Sequence, residues 1–431
     1  MERRSFILAG ALIAASPAAT LGAKASRKFP RGFLWGAATA GHQIEGNNVN
    51  SDYWVLETVK PTTFSEPSGD ANNSFELWPQ DLDLARSMDL NCYRFSLEWS
   101  RIEPEPGLFS VAMLDHYKAI IEGCHRRGLD PVVTFSHWTV PRWFAMRGGW
   151  TAADSGELFA RFCDRAARHF ADGISHAVTL NEANGTLIGH GLSPPPAKEA
   201  EAKMLAAAAR ATGSSQFVGG SPSGMAPAML PNLVTAHRLG KSAIKANRSS
   251  LPVGVTLAII DLQASGENSL RDAKRREFYE PWLQAVRGDD FVGVQNYSRI
   301  VWDANGIVPV PAGAPTGGEG WEIYPASLAN AVRYVHEGTG CRILVTEHGL
   351  NTEDDSLRAK LIPDALRELK NVMDSGVPVL GYLHWSLVDN FEWASGYKSK
   401  YGLASIDRTT FKRTVKPSAS VLAGIARRNG L

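Results

Sequence analysis

Seven of eight short apolar runs in this chain lead into tight groups of polar residues. After the first run come His42, Gln43 and Glu45. The second carries Arg94 and ends Glu98-Trp99, and the third ends Ser136-His137-Trp138. The fourth ends Asn181-Glu182, the sixth Gln295-Asn296-Tyr297 and the seventh Thr346-Glu347-His348. The eighth holds His384-Trp385 and leads to Asp389-Asn390-Phe391-Glu392-Trp393. Charged groups gathered in one place are costly to bury unless they are paired or put to use. A ring drawn from seven runs exceeds what structural ion pairs require. Glu182 and Glu347 close the fourth and seventh runs. Two carboxylates set on opposite sides of a bond can serve as acid and nucleophile, which is what glycoside hydrolysis needs. A metal centre is the competing use of such residues. The sequence has no His-x-x-x-His pair and no tight Asp/His cluster, so no metal or cofactor is expected.

The runs that must position these groups span residues 33–40, 91–99, 130–138, 176–182, 252–258, 290–297, 342–349 and 379–386. Helical periodicity separates several of them. Met113, Tyr117, Ile120, Ile121 and Cys124 share one face, as do Leu158, Phe159, Phe162, Cys163, Ala166 and Phe170. Leu328, Val332 and Val335 form a shorter stripe, and so do Val421, Leu422 and Ile425. Strands alternating with helices imply a parallel sheet, and eight of them imply a closed (β/α)8 TIM barrel. The strand C-termini would then face the active site. The chain is well over a hundred residues longer than the usual barrel of ~250. The excess is expected in long loops at that face. Residues 213–227 and 306–320, rich in Gly and Pro, are two candidates to roof a site. No linker or composition shift divides residues 26–431, which read as one barrel domain.

The 45 Lys and Arg balance the 44 Asp and Glu, so nothing asks for nucleic acid or an acidic membrane surface. Cys92, Cys124, Cys163 and Cys341 read as small buried hydrophobes. Residues 1–25 read as an export signal rather than mature structure. Arg3 and Arg4 precede a weakly apolar run and a small-residue cleavage site at Ala23-Lys24-Ala25. Arg3-Arg4-Ser5-Phe6-Ile7 also resembles a twin-arginine signal. A periplasmic or secreted protein, with no stable membrane insertion after signal removal, is expected.

Three long strings carry a family resemblance. Phe33-Leu34-Trp35-Gly36-Ala37-Ala38-Thr39-Ala40 with His42-Gln43-Ile44-Glu45-Gly46 resembles the N-terminal signature of glycoside hydrolase family 1. Tyr93 to Ile102 resembles its second strand, and Trp385-Ser386-Leu387 with Asp389-Asn390-Phe391-Glu392-Trp393 its sugar-binding loop. The likeness runs from about Phe33 to Ala426. It implies a retaining, exo-acting β-glycosidase acting on a small β-glycoside or oligosaccharide. Glu182 matches the general acid/base and Glu347 the nucleophile. Arg94 and Tyr297 match residues that hold the nucleophile, and Asn181 the residue that bonds the sugar 2-hydroxyl. Gln43, His137, Glu392 and Trp393 match readers of the sugar hydroxyls, and Trp385 the floor under the ring. Trp138 fits either sugar contact or core packing.

The departures from the family pattern leave the carboxylates intact. Ala183 stands for Pro, His348 for Asn, Gln295-Asn296-Tyr297 for Asn-Tyr-Tyr, and Thr139-Val140 for Asp-Leu. Gln295 is expected beside the sugar or the leaving group, where it would tune specificity. His348 is expected to pack behind its strand, the alternative being a titrating group beside the nucleophile. The branch that cleaves 6-phosphorylated sugars resembles itself in lacking Glu at 392 and carrying Lys near 399. Here Glu392 and Ser399 favour a neutral sugar. A transglycosylase would use the same residues, and a non-catalytic sugar-binding barrel is the reading from another class. Oligomeric state is not legible in the sequence.

Overall fold

The computed structural model describes residues 28–431. The export signal read over residues 1–25 lies outside them. Eight parallel strands close into a barrel. They are β1 (Leu34–Ala38), β2 (Cys92–Ser96), β3 (Asp130–Ser136), β4 (His176–Leu180), β5 (Val253–Ala258), β6 (Phe291–Asn296), β7 (Ile343–His348) and β8 (Val379–Trp385). Each pairs with its neighbours in chain order, and β8 returns to β1, where Leu34 lies opposite Gly381. These strands are the eight apolar runs, each shortened by one to four residues in all.

Helices connect the strands on the outside. Val111–Arg126 buries Tyr117, Ile120, Ile121 and Cys124. Ser155–Phe170 buries Phe159, Phe162, Cys163, Ala166 and Phe170. Ala326–Thr339 and Pro417–Arg428 bury the two shorter stripes, with Val421 only partly covered. Inside the barrel, one floor layer is made by Leu34, Cys92, Val132, Val178, Phe291, Leu344 and Leu383. Strand β5 contributes Gly254 instead, because a Cβ there would lie 2.3 Å from the Phe291 carbonyl oxygen. All four cysteines are buried and free. Among the described residues, no helix is long and apolar enough to cross a membrane.

Two features lay beyond the periodicity. A short parallel pair, Asp261–Ala264 with Arg299–Trp302, stands beyond the ends of β5 and β6. Strand β7 carries an irregularity. Val345 pairs with Val294 but Glu347 pairs with Gln295, so Thr346 is an extra residue. Such an insertion re-aims the side chain that follows it. The 306–320 segment is irregular, as expected, whereas the 213–227 segment passes into a short turn of helix and the long helix Ala226–Asn247.

Candidate active site

The bulge in β7 turns Glu347 toward the barrel axis, where three donors meet it. Arg94, from the middle of β2, places Nη1 2.5 Å from Glu347 Oε1. Gln295 at the end of β6 donates Nε2 to the same oxygen at 2.7 Å. The Tyr297 hydroxyl donates to Oε2 at 2.6 Å. Burial raises the Glu347 pKa, and the Arg94 charge with the bonds from Tyr297 and Arg94 offsets only part of the rise. Glu182, just past β4, has its backbone N–H on Thr256 Oγ1 at 2.9 Å. Burial first, then the charge of Glu347, pushes its carboxyl up to about 8. The two carboxyls are thus separated electrostatically: Glu347 ionises first, and its charge keeps the proton on Glu182.

Asn181 lies between them with its amide orientation fixed. Its Oδ1 accepts from Arg94 Nη2 at 2.5 Å, Gln295 Nε2 at 2.8 Å and Thr256 Oγ1 at 3.1 Å. Three donors on one atom leave Nδ2 as the nitrogen, 3.1 Å from His137 Nε2. Burial and the Arg94 charge drive the His137 pKa well below its usual value, so the ring is neutral and accepts from Asn181 at Nε2. Its proton then sits on Nδ1, which has no partner among the described residues.

A cavity of about 130 Å³ opens over these groups. It is lined by the predicted His137, Asn181, Glu182, Tyr297, Glu347, Trp385, Glu392 and Trp393, and also by Trp138 and Tyr401. Trp385 Nε1 donates to Glu392 Oε1 at 3.1 Å. The carboxyl of Glu392 is raised well above its usual value, chiefly by burial. Trp138 is therefore a site residue, and its ring centre lies 4.9 Å from that of Trp393. Trp138, Glu182 and Trp393 all take positive φ, at 70°, 41° and 52°. Non-glycine residues held there cost on the order of 1–3 kcal/mol each, and such strain clusters where function requires it.

Two predicted residues stand behind the lining. Arg94 is fully buried beneath Glu347 and Asn181. Gln43 spends Nε2 on Asn390 Oδ1, the Phe391 carbonyl and Glu392 Oε2. Its buried Oε1 is left unpaired among the described residues, an acceptor that a sugar hydroxyl would satisfy. One expectation needs correction. Gln295 was expected to tune specificity beside the sugar, but it reaches inward to the nucleophile, because it is the residue paired with Glu347 across the bulge. His348 packs behind its strand, 2.9 Å from the Tyr382 hydroxyl, with burial lowering its pKa to about 4. Thr256 was missed, although a lone Thr in the apolar run of β5 was a visible signal. Tyr401 was missed as well. Its hydroxyl donates to Glu319 Oε1 at 2.8 Å, so the 306–320 loop does reach the mouth.

The other loop is tied in by one carboxylate. Asp52, at the start of the helix Asp52–Thr58, accepts from Val140 N at 2.9 Å and Gly220 N at 2.7 Å. These donors belong to the segment after β3 and to the 213–227 loop. Gly220 crosses so close to Trp138 that a Cβ would lie 1.5 Å from its carbonyl oxygen.

Comparison with known proteins follows the same pattern. The family model described as glycosyl hydrolase family 1 matches residues 25–216 and 295–431. A solved beta-glycosidase, BGL167, is 44% identical with a TM-score of 0.87, covering 94% of this chain and 98% of that one. The apo structure of beta-glucosidase 1317 is 39% identical with a TM-score of 0.89, covering 92% and 98%. Beta-glucosidase A of Thermotoga maritima is 27% identical over 94% of this chain and 99% of its own length. With the barrel, the paired carboxylates and a model match over most of its length, the chain belongs to glycosyl hydrolase family 1.

Proposed function

We propose that the protein is a retaining, exo-acting β-glycosidase, β-glucosidase-like, that removes terminal neutral β-D-sugars. One observation carries the reading. Glu347 is held by Arg94, Gln295 and Tyr297, while Glu182 beside it is pushed up to about 8 and keeps its proton at neutral pH. In the first step Glu347 attacks the anomeric carbon. The bond to the leaving oxygen breaks, and Glu182 gives that oxygen its proton. Once Glu347 is esterified its charge is gone, and with it the second cause of the raised Glu182 pKa. Glu182 then takes a proton from water, whose oxygen attacks the anomeric carbon and releases Glu347. Asn181, locked with Nδ2 outward from its three donors, is placed to bond a hydroxyl of the sugar. Trp385 supplies an apolar ring face, on which a pyranose stacks.

A neutral sugar is supported by Glu392, since a buried carboxyl bonded to Trp385 and Gln43 offers a phosphate no positive charge to meet its own. Export, periplasmic or beyond, is supported by Arg3, Arg4 and the apolar run that follows them. The test is a panel of nitrophenyl β-glycosides offered to the mature protein and to Glu347→Ala. Release from one or more β-sugars, abolished in the variant, is the expected result. Turnover that survives Glu347→Ala would remove the nucleophile, and no release from any sugar would favour a barrel that binds without cutting.

A further inference from the structure

Trp138 faces the sugar cavity from a strained turn. Thr139 N donates to the His137 carbonyl at 2.9 Å, and Trp138 between them takes φ 70°. A three-residue turn of that hand is rare and persists only where its surroundings fix it. Two buried carboxyls do so. Asp52 accepts from Val140 N, just past the turn. Glu98, two residues past β2, accepts at Oε2 from Thr139 Oγ1 at 2.8 Å and Asn48 Nδ2 at 2.7 Å, and at Oε1 from His42 N at 2.9 Å.

Glu98 has no part in the proton transfers between Glu182 and Glu347. It is 1% exposed and does not line the cavity. No cation is bonded to it among the described residues, since Arg101 is taken by Glu45 and His42 Nε2 by Glu57. A carboxyl buried in this way is costly. Its pKa, raised to about 7 by burial and by the charge of Glu45, leaves the ionised form the major one at pH 7.5. Two of its three donors lie next to residues of the sugar site. His42 precedes Gln43, and Thr139 follows His137-Trp138. One carboxylate thus ties the turn after β3 to the end of β1. Gly41 leaves room for it, because a Cβ there would lie 2.7 Å from Glu98 Oε1. Thr139 stands where the family pattern has Asp, and here the carboxylate of the contact comes from Glu98 instead.

We infer that Glu98 is a positioning residue for sugar recognition. Through Thr139 and His42 it aims His137, Trp138 and Gln43 at the substrate without touching it. The inference rests on the glycosidase reading and adds a residue to its sugar site. Glu182 and Glu347 are held by Thr256, Arg94, Gln295 and Tyr297, so losing Glu98 should weaken sugar binding and spare the chemistry. The test compares wild type, Glu98→Gln and Thr139→Val at pH 7.5 on the best substrate of the nitrophenyl panel. Gln keeps the size but has one acceptor oxygen for three donors, and Val keeps the shape of Thr without its hydroxyl. Each should raise KM about 10- to 100-fold, the worth of one charge-assisted bond, with kcat within about 3-fold. The Ki of the released sugar should rise in step. The double variant should match Glu98→Gln within about 3-fold. A role in stability alone would read the other way, because unfolded molecules lower the apparent kcat and leave KM unchanged. Should Glu98→Gln fold poorly, Thr139→Val, which alters no charge, carries the test. An unchanged KM, a loss confined to kcat, or failure of both variants to fold would overturn the inference and leave the glycosidase standing. No turnover of any glycoside by wild type would overturn both.

Discussion

Replacing Glu182 with Gln should stabilise this protein, and only above about pH 4.5, with the gain growing up to about pH 8. The Glu182 carboxyl is raised from 4.5 to about 8 by burial and by the charge of Glu347. A folded-state pKa above the unfolded one means the folded protein binds more protons between the two values. Stability from this group is therefore complete below about pH 4.5 and is lost as pH climbs through about 8. At about 1.4 kcal/mol per pH unit the full loss is about 5 kcal/mol. Water entering the open cavity screens part of it, so about 2–3 kcal/mol is expected. Glu182→Gln keeps the shape and cannot ionise, so it escapes the loss. Denaturant unfolding of both proteins at pH 4.5, 6 and 9 measures the difference. Other raised groups, such as Asp52 at about 6 and Glu98 at about 7, are common to both and cancel. The variant should match wild type near pH 4.5 and exceed it by pH 9. A difference that is flat with pH would refute the claim that Glu347 and burial hold the proton on Glu182.

The same carboxyl shapes the rate. With a poor leaving group, kcat/KM should fall as pH rises past about 8, where Glu182 loses its proton, and an unchanged rate at pH 9.5 would count against the acid role. Glu182→Ala should harm poor leaving groups far more than activated nitrophenyl ones, and equal losses would say the same. Gln295→Leu removes one charge-assisted bond to the nucleophile worth about 1.5–3 kcal/mol, so kcat/KM should drop about 10- to 100-fold on every sugar. A change confined to sugar preference would return Gln295 to a specificity role. Glu392→Ser should weaken use of neutral sugars, and unchanged kinetics would place Glu392 outside sugar recognition.

Much of this was legible because a barrel strand is apolar over most of its length, Arg94 in the middle of β2 being the charged exception. Polar groups at the ends of such runs, as at Asn181-Glu182 or Gln295-Asn296-Tyr297, therefore mark the site. What escaped was a matter of pairing rather than of composition. The extra residue Thr346 exists only in the register between β6 and β7, and it is what brings Gln295 to the nucleophile. The short pair Asp261–Ala264 and Arg299–Trp302 has four residues per strand, too few for a periodicity to show. Thr256 was visible but passed over because β5 ends without a polar cluster. The cavity behind Trp393, walled by Tyr53, Phe64, Met204 and Ala394 among others, draws on distant parts of the chain, and no local pattern joins them.

The Asp52 tether has a consequence for how this protein can change. Both groups it grips are main-chain N–H groups, so the grip is indifferent to the side chains that ride on them. The exposed residues of 213–223 can be exchanged, by selection or by design, while the path of the segment past Trp138 stays put; Phe217 and Val218 are buried and are not among them. The wall can acquire new chemistry without being rebuilt. The glycines are exceptions: Gly213 sits at φ 66°, a Cβ at Gly219 would lie 2.9 Å from Asp52 Oδ2, and any larger residue at Gly220 would strike the Trp138 carbonyl. A library that spares Asp52, Gly213, Phe217, Val218, Gly219 and Gly220 would vary the rim of the mouth while leaving Glu182 and Glu347 untouched.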